Sequence, residues 1–317
     1  MTHRFTLEPY KGINSRHTCP NCSHAKSFSR YIDLAKTVTF PNHVGRCNRE
    51  QKCGYHFTPK DYFAIDPNVN STFHDYVDLS NSIKNQSIRP SYIDISLVNQ
   101  TLTNYSENKL FQFLSSKIGY SETLRLMQRY FVGTANHWQG STVFWQIDVN
   151  LRVRTGKIIL YCSKTGRRIK EPYNHITWVH SLSHSENFNL RQCFFGEHLL
   201  SQDTIRPIAI VESEKSALVA SYFLPQFVWL ATGGKNGCFR YENLEVLRGH
   251  KVVLFPDLGA TEYWSQKTDI MKDMGIEVRI FDYLEKWATP EQRNEGFDIV
   301  DFLLEAKCPK NILQPMI

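Results

Sequence analysis

Two pairs of cysteines in the first sixty residues have the spacing of a zinc site. Two residues separate the cysteines of the first pair, and five separate those of the second. The predicted ligands of a structural Zn²⁺ are Cys19, Cys22, Cys47 and Cys53. The wide second spacing leaves an alternative open, because His56 lies three residues after the last cysteine and could replace one thiolate. His17 and His24 also lie near the first pair.

A second candidate site lies in the last third of the chain, where short apolar strands are predicted at 207–211, 227–231 and 251–255. The groups that follow these strands are Glu212, a loop with Gly233, Gly234 and Lys235, and Asp257. Because ligands bind beyond the carboxyl ends of parallel strands, we expect them to share one crevice with Asp298 and Asp301, which open the last predicted helix.

Clustered carboxylates favour Mg²⁺ or Mn²⁺, and a divalent ion held by them could bind phosphate oxygens. The predicted catalytic residues are therefore Glu212, Asp257, Asp298 and Asp301. Lys215 and Lys235, with the loop glycines, are the predicted phosphate or cofactor contacts. The alternative is that each acid only caps the helix that follows it.

The middle of the chain contains a strongly basic segment. Residues 152–170 contain seven basic residues and no acid, and these are Arg152, Arg154, Lys157, Lys164, Arg167, Arg168 and Lys170. Like charges at this density repel unless an anion lies opposite them, which favours a surface that binds nucleic acid or nucleotide phosphates. The alternative is an ordinary solvated hairpin. The predicted strands of this hairpin are 141–148 and 157–162, with a turn near Asn150 or at 155–156.

Changes in pattern along the chain predict several units. Residues 1–62 are predicted to form a zinc ribbon with strands at 27–33 and 37–40, and residues 63–90, rich in Asn and Ser, a linker. Residues 91–205 mix helical and strand periodicity, which predicts a basic α+β subdomain. Residues 206–317 alternate strands and helices, which predicts a doubly wound α/β domain with a mostly parallel sheet. The fold class is therefore multidomain, α+β and α/β.

Composition excludes several classes of protein. Hydrophobic residues make up 41% of the 317 residues and charged residues 21%, so the chain is not disordered. It has no apolar run long enough to span a bilayer and no signal-peptide pattern at its start, so we expect a cytoplasmic protein without a membrane partner. In that reducing compartment the eight cysteines are not expected to form a disulfide framework. The first sixty residues hold ten Lys and Arg against three acids, which suits a polyanion.

Taken in order, these parts resemble bacterial primases. The motifs are Val211-Glu-Ser-Glu-Lys-Ser-Ala217 and Leu254-Phe-Pro-Asp-Leu-Gly259, which resemble the Toprim fold shared by primases, topoisomerases and some nucleases. The combination with the cysteine segment is most similar to small zinc-ribbon and Toprim proteins of bacterial mobile elements. The resemblance implies that Glu212 is the Toprim glutamate and Asp257 the first acid of an Asp-x-Asp pair. Gly259 stands where the second acid is expected, so Glu214, Asp298 or Asp301 would have to substitute.

The resemblance implies a primase-like nucleotidyltransferase that acts on single-stranded DNA and NTPs with Mg²⁺ or Mn²⁺. A replicative helicase or mobilisation proteins are the implied partners, in the replication of a mobile element. Two alternatives stay open. Loss of the second acid at 259 would leave a DNA-binding accessory protein without catalysis, and a Toprim nuclease is the other alternative, which no residue distinguishes.

Overall fold

The computed structural model describes residues 4–49, 53–65, 89–182, 188–234 and 237–304. They form two compact units, residues 1–89 and residues 90–317. Most of the predicted linker, like Lys235, lies outside the described residues. Among the described helices, none combines the length and the apolar character needed to cross a membrane.

The first unit is built on a four-stranded antiparallel sheet with the strand order β1-β2-β3-β4. Its elements are β1 (Phe5–Leu7), a 3-10 turn (Ile13–Ser15), β2 (Phe28–Asp33), β3 (Gly45–Cys47), β4 (His56–Phe57) and α1 (Pro59–Ile65). Helix α1 therefore crosses the predicted boundary between ribbon and linker at residue 62.

The predicted strand at 37–40 is wrong, because the carboxylate of Asp33 turns the chain there. It accepts hydrogen bonds from the backbone N–H groups of Ala35, Thr37 and Val38, each at 3.0 Å. Arg4 donates to the same carboxylate at 2.9 Å. These bonds, the Arg4 bond above all, hold the pKa of Asp33 far below its ordinary value. The strand that pairs with β2 is instead β3.

Two small clusters fill the interior of the first unit. Three rings, Phe5, Phe40 and Phe63, meet with centroids 5.2 to 5.8 Å apart. The second cluster consists of the buried Cys19, Phe28 and Cys47, with Cys22, Cys53 and Tyr55 packed against them. An apolar core this small supplies little stabilisation, so the cysteine cluster is where this unit needs a further cross-link.

The second unit begins with three helices and an antiparallel sheet of order β5-β6-β7-β8. The elements are α2 (Ile95–Thr101), α3 (Lys109–Ile118), α4 (Tyr120–Arg129), β5 (Val132–Ala135), β6 (Ser141–Ile147), β7 (Val153–Ile159), β8 (Ile176–Trp178) and α5 (Val179–Leu182). The turn near Asn150 is confirmed. The strand predicted at 157–162 is misplaced: β7 starts at Val153, and Thr155 and Gly156 lie inside it.

A parallel sheet with the strand order β10-β9-β11-β12 follows. Its elements are β9 (Ile208–Val211), α6 (Glu214–Phe223), β10 (Val228–Ala231), α7 (Tyr241–Leu244), β11 (Lys251–Leu254), α8 (Thr261–Asp273), β12 (Glu277–Ile280), α9 (Tyr283–Trp287), α10 (Pro290–Glu295) and α11 (Ile299–Leu304), with 3-10 turns at Glu197–Ser201 and Glu245–Leu247. The predicted alternation of strands and helices around a parallel sheet is confirmed.

One hydrophobic core runs through both sheets of the second unit. It includes Phe144 from β6, Phe195, and Trp229 from β10, each less than 2% exposed. On the opposite face of the antiparallel sheet, Trp145 belongs to a separate cluster that also contains Val98 of α2. Residues on both sides of the predicted domain boundary at 205 thus share one core. The division of the chain into four parts stays a prediction.

We expect Asp33→Asn to lower the free energy of unfolding by ~1–3 kcal/mol near neutral pH, because it weakens several hydrogen bonds to a buried carboxylate. The pKa of Asp33 is depressed in the folded state, so its contribution is complete above the unfolded-state pKa of about 4. It is lost as the pH falls through and below that value.

Calorimetry of the full chain at several pH values measures this difference. Asp269→Asn is the control, since the Asp269 side chain is 76% exposed and its contact with Lys272 spans 3.9 Å. An Asp33→Asn protein as stable as wild type at neutral pH would contradict the prediction.

Candidate functional site

The four predicted cysteines meet in the first unit with the spacing of a tetrahedral zinc site. Their sulfur atoms all lie within 4.8 Å of one another, and Cys19–Cys53 and Cys22–Cys47 are separated by 3.7 and 4.0 Å. Zn–S bonds of about 2.3 Å in a tetrahedron require S–S separations near 3.8 Å. The donor set and its spacing fit a structural Zn²⁺.

None of the three nearby histidines completes this site. The Nε2 atom of His56 lies 3.0 Å from the hydroxyl of Tyr31, and the two rings stack. His17 Nε2 contacts Glu8 at 2.7 Å, and His24 Nδ1 lies 2.9 Å from the Ala25 carbonyl. Instead, N–H groups surround the sulfurs: Asn21 donates to Cys53 at 3.5 Å and Arg49 to Cys22 at 3.8 Å.

The second site lies at the carboxyl edge of the parallel sheet, where the strand order reverses. The chain passes from β9 outward to β10 and then returns to β11 on the other side of β9. Glu212 directly follows β9, and Asp257 follows β11 after two residues. The two predicted acids therefore flank the topological switch point, which is the usual ligand position in a doubly wound sheet.

The four predicted acids are close enough to act on each other electrostatically. Burial raises the pKa of Asp257 well above its ordinary value, and the negative charges of Asp298, Glu212 and Asp301 raise it further. Lys215 opposes this shift. Crowded carboxylates repel one another, and a bound cation would relieve that repulsion.

Asp298 and Asp301 also have the capping role that the alternative interpretation assigned to them. Asp298 accepts from the N–H groups of Val300 and Asp301 at 2.8 and 3.0 Å, and Asp301 accepts from the N–H of Asp298 at 3.1 Å. The Ser216 hydroxyl of α6 donates to Asp298. Capping therefore fixes both acids at the start of α11 while their charges still act on Asp257.

The acids do not form a closed cage as they stand. In the described part of the chain, only the four cysteines form a group whose ligand atoms all lie within 4.8 Å. Mg²⁺ is commonly bound through one or two carboxylates, with water and substrate phosphates as the other ligands. The arrangement at the sheet edge fits that open mode of binding.

The glycine-rich loop borders the same edge. Gly233 donates its N–H to the Glu212 carbonyl at 3.0 Å, and its φ of +77° belongs to a region that glycine adopts without strain. The Thr232 hydroxyl donates to the carbonyl of Gly234 at 2.8 Å. Lys215 lies on the side of the acids, where its ammonium donates to the Gly166 carbonyl at 3.4 Å.

Lys157, a predicted nucleic-acid contact, is buried. It lies opposite Phe144 in the pairing of β6 and β7, so its side chain faces the core shared with the parallel sheet. Its ammonium lies 3.2 Å from the carboxylate of Glu214 and donates to the carbonyl of Gly233 at 2.8 Å. This ion pair joins β7 to α6 and the glycine loop.

Two further basic residues of the segment are neutralised by the protein itself. Arg152 and Arg154 contact the buried Asp148 carboxylate at 3.0 and 2.7 Å, and both guanidinium groups lie about 5 Å from the ring of Tyr92. Asp148, which lies four and six residues before the two arginines, thus neutralises part of the positive charge of this segment.

The remaining basic residues are exposed. Arg167 contacts Glu295 at 3.0 Å. Burial raises the pKa of Asp301, and the charge of Arg167 opposes that shift. Lys164, Arg168 and Lys170 have no carboxylate within 4.0 Å among the described residues. Only this part of the predicted surface is available to phosphates.

The loop at Gly259 is held by a residue from α9. Gly259 donates its N–H to Glu285 at 3.0 Å, and the Thr261 hydroxyl donates to the same oxygen at 3.3 Å. Arg293 binds the other oxygen of Glu285 at 2.8 Å. Glu285 thus holds the loop that leads into α8 and is neutralised by Arg293.

Several buried polar residues near this site had no signal in the sequence. Gln146 is 0% exposed, and neither atom of its amide has a hydrogen-bond partner within the described chain. Glu197 is also buried, which raises its pKa to about 7, and it accepts from the N–H groups of Phe194 and Val149. The sequence shows only that each is a polar residue within an apolar stretch, which does not predict burial.

Two sequence families match parts of the chain. Residues 3–68 match the zinc beta-ribbon finger family, and residues 108–258 match a family described as Domain of unknown function (DUF6371). No curated protein matches the chain.

Solved primase structures are similar in fold. The primase fragment of the bacteriophage T7 primase-helicase protein has 13% identity, covers 84% of this chain and 88% of its own, and gives a TM-score of 0.37. The E. coli primase catalytic core has 11% identity, with 70% and 83% covered and a TM-score of 0.42. The zinc-binding and RNA polymerase domains of the Aquifex aeolicus primase have 12% identity, with 94% and 82% covered and a TM-score of 0.35. The family match at residues 3–68 agrees with the four-cysteine cluster of the first unit.

We expect Cys47→Ser to remove zinc and unfold the first unit, because metal binding there is coupled to folding. His56→Ala should keep about one zinc per chain, since His56 contacts Tyr31. Elemental analysis of the purified full chain measures this, with Cys162→Ser, outside the cluster, as the control. Loss of zinc from His56→Ala would contradict the four-cysteine site.

We expect Lys157→Met to destabilise the second unit by ~3–5 kcal/mol, because it leaves the buried Glu214 carboxylate unpaired. Adding Glu214→Gln should restore most of that loss. Urea unfolding followed by tryptophan fluorescence reports on this unit, since all six tryptophans lie between residues 138 and 287.

Arg125→Met is the matched control, since it breaks the exposed pair between Arg125 and Glu122 and should change stability much less. Additive effects of Lys157→Met and Glu214→Gln would show that the two groups do not interact.

Proposed function

We propose that this protein is a primase-like nucleotidyltransferase that joins nucleotides on single-stranded DNA with a divalent metal ion. Its second unit would contain a Toprim-type domain at 206–317. The observation that carries the proposal is the position of Glu212 and Asp257 at the switch point of a parallel sheet. Burial raises the pKa of Asp257 there, and the charges of Asp298, Glu212 and Asp301 raise it further. A zinc ribbon and exposed basic side chains in the same chain support a nucleic-acid substrate.

Glu212 and Asp257 are the proposed holders of Mg²⁺ or Mn²⁺, with Asp298 or Asp301 completing the set. When bound, such an ion would neutralise charge on nucleotide phosphates. Lys215 faces these acids and is placed to contact a phosphate once the carboxylates are neutralised. The loop with Gly233 and Gly234 allows close approach of a ligand to its backbone, and Lys235 belongs to this loop.

The proposed contacts with single-stranded DNA are the exposed Lys164, Arg167, Arg168 and Lys170. Lys157 and Arg154 support the site from inside the protein, through Glu214, the glycine loop and Asp148. Arg152 contacts Asp148 and Tyr92 from a position where its side chain is 45% exposed. The mobile-element context and a helicase or mobilisation partner stay predictions.

A second candidate, a DNA-binding accessory protein without catalysis, is favoured by the loop at Gly259. No acid stands at this position, and the nearby Glu285 is engaged with Arg293 and the start of α8. This loop therefore supplies no second Asp as a ligand for a catalytic metal. This candidate predicts DNA binding that is insensitive to Mg²⁺ and weakens steeply with salt.

We expect Glu212→Gln and Asp257→Asn to lower primer synthesis by about 100-fold or more, because each removes a ligand of the metal that offsets phosphate charge. Binding of single-stranded DNA should stay near the wild-type value. The assay incubates the full chain with single-stranded DNA, labelled NTPs and Mg²⁺ or Mn²⁺, and resolves the products by length.

Glu277→Gln is the matched control, since this exposed acid lies at the opposite edge of the same sheet. Primer synthesis that survives Glu212→Gln would remove the catalytic proposal. Wild-type protein that binds DNA and makes no product would favour the accessory candidate, and shortened DNA would favour a nuclease.

A further inference from the structure

A continuous set of aromatic rings in the second unit includes two residues, Tyr173 and His175, that closely follow the basic segment in the sequence. We name it the ring platform, and its members are His137, Trp138, His175 and Tyr173. Trp138 contacts His137 and His175 edge to face, with centroids 4.4 and 5.1 Å apart. Tyr173 stacks on His175 at 4.4 Å with an interplanar angle of 22°.

The two ends of the platform are exposed. Tyr173 is 56% exposed and His137 is also exposed, while His175 between them is 8% exposed. The Nδ1 atom of His175 is buried and has no hydrogen-bond partner among the described residues. A large exposed ring stacked on a buried one has a second face on which another flat group can stack.

The charges around the platform are mainly positive. The segment from Lys164 to His175 contains four basic residues and one acid, Glu171, and only Arg167 among the four has a carboxylate partner within the described chain. Backbone hydrogen bonds from Ile169 to Leu160 and from His175 to Ile169 fix this segment beside the antiparallel sheet. Lys170 is thus held three residues from the exposed ring of Tyr173.

We propose that the ring platform is a stacking site for the bases of single-stranded nucleic acid, with Arg168 and Lys170 contacting the adjacent phosphates. Aromatic rings bind bases with little sequence preference, because every base has a π face. Duplex DNA hides these faces, so the platform selects single strands. This inference rests on the proposed function for its substrate class and adds a binding site outside the carboxylate cluster.

The test is binding of fluorescent oligothymidylate to the full chain without divalent metal or NTPs. Tyr173→Ala should weaken binding about five- to 150-fold, the usual range for loss of one stacked base. Tyr173→Phe keeps the ring and should bind as wild type. Tyr241→Ala is the matched control, since Tyr241 is a 59% exposed tyrosine of the same unit.

Two further measurements separate stacking from charge. Lys170→Ala should weaken binding and reduce the slope of log affinity against log salt by about one, whereas Tyr173→Ala should leave that slope unchanged. Ultraviolet cross-linking of an iodouracil oligonucleotide should label the peptides that contain Tyr173 or Trp138, whatever the stability of the variants.

The outcomes distinguish this inference from the proposed function. Wild-type binding that Tyr173→Ala does not weaken, or cross-links confined to other peptides, overturns the platform and leaves the nucleotidyltransferase proposal intact. Absence of any binding by the wild-type chain overturns both.

Discussion

Carboxylates that are partly buried and close to one another at one edge of a parallel sheet are the main constraint on the candidate site of the second unit. Glu212 and Asp257 follow neighbouring strands, and α11 brings Asp298 and Asp301 to them. Such crowding disfavours the charged forms, and the protein tolerates it by capping two of the acids and placing Lys215 nearby. A cation bound between these carboxylates would relieve their repulsion, and the same cation could bind a phosphate.

The two units are stabilised by different means, and this difference bears on their roles. The first has two small side-chain clusters and four converging cysteine sulfurs, so we expect its folding to depend on a metal ion. The second has a large core that runs from Phe144 through Phe195 to Trp229. That core can support largely buried charges such as Lys157 and Glu214, which connect the antiparallel sheet to the glycine loop.

Basic residues in this chain serve two purposes that composition cannot separate. Arg154 and Lys157 are buried, and they contact the carboxylates of Asp148 and Glu214, which fixes the geometry of β7 and of the glycine loop. Arg152 shares Asp148 with Arg154. Lys164, Arg168 and Lys170 are exposed, and Tyr173 and His175 of the ring platform closely follow them in the sequence. The same segment therefore combines structural ion pairs with a surface suited to bases and phosphates.

The local pattern of the sequence was enough to predict the zinc ligands, the parallel sheet and the acids at its strand ends. Cysteine spacing and the alternation of strands and helices are short-range properties. The local pattern misplaced β7 and assigned the strand after Asp33 wrongly, because a carboxylate that binds the backbone there outweighs strand propensity. Only the tertiary structure decided which charges are buried. The pairing of Lys157 with Phe144 turns this lysine toward Glu214, 57 residues away, and such a contact depends on strand register and on the packing of two sheets.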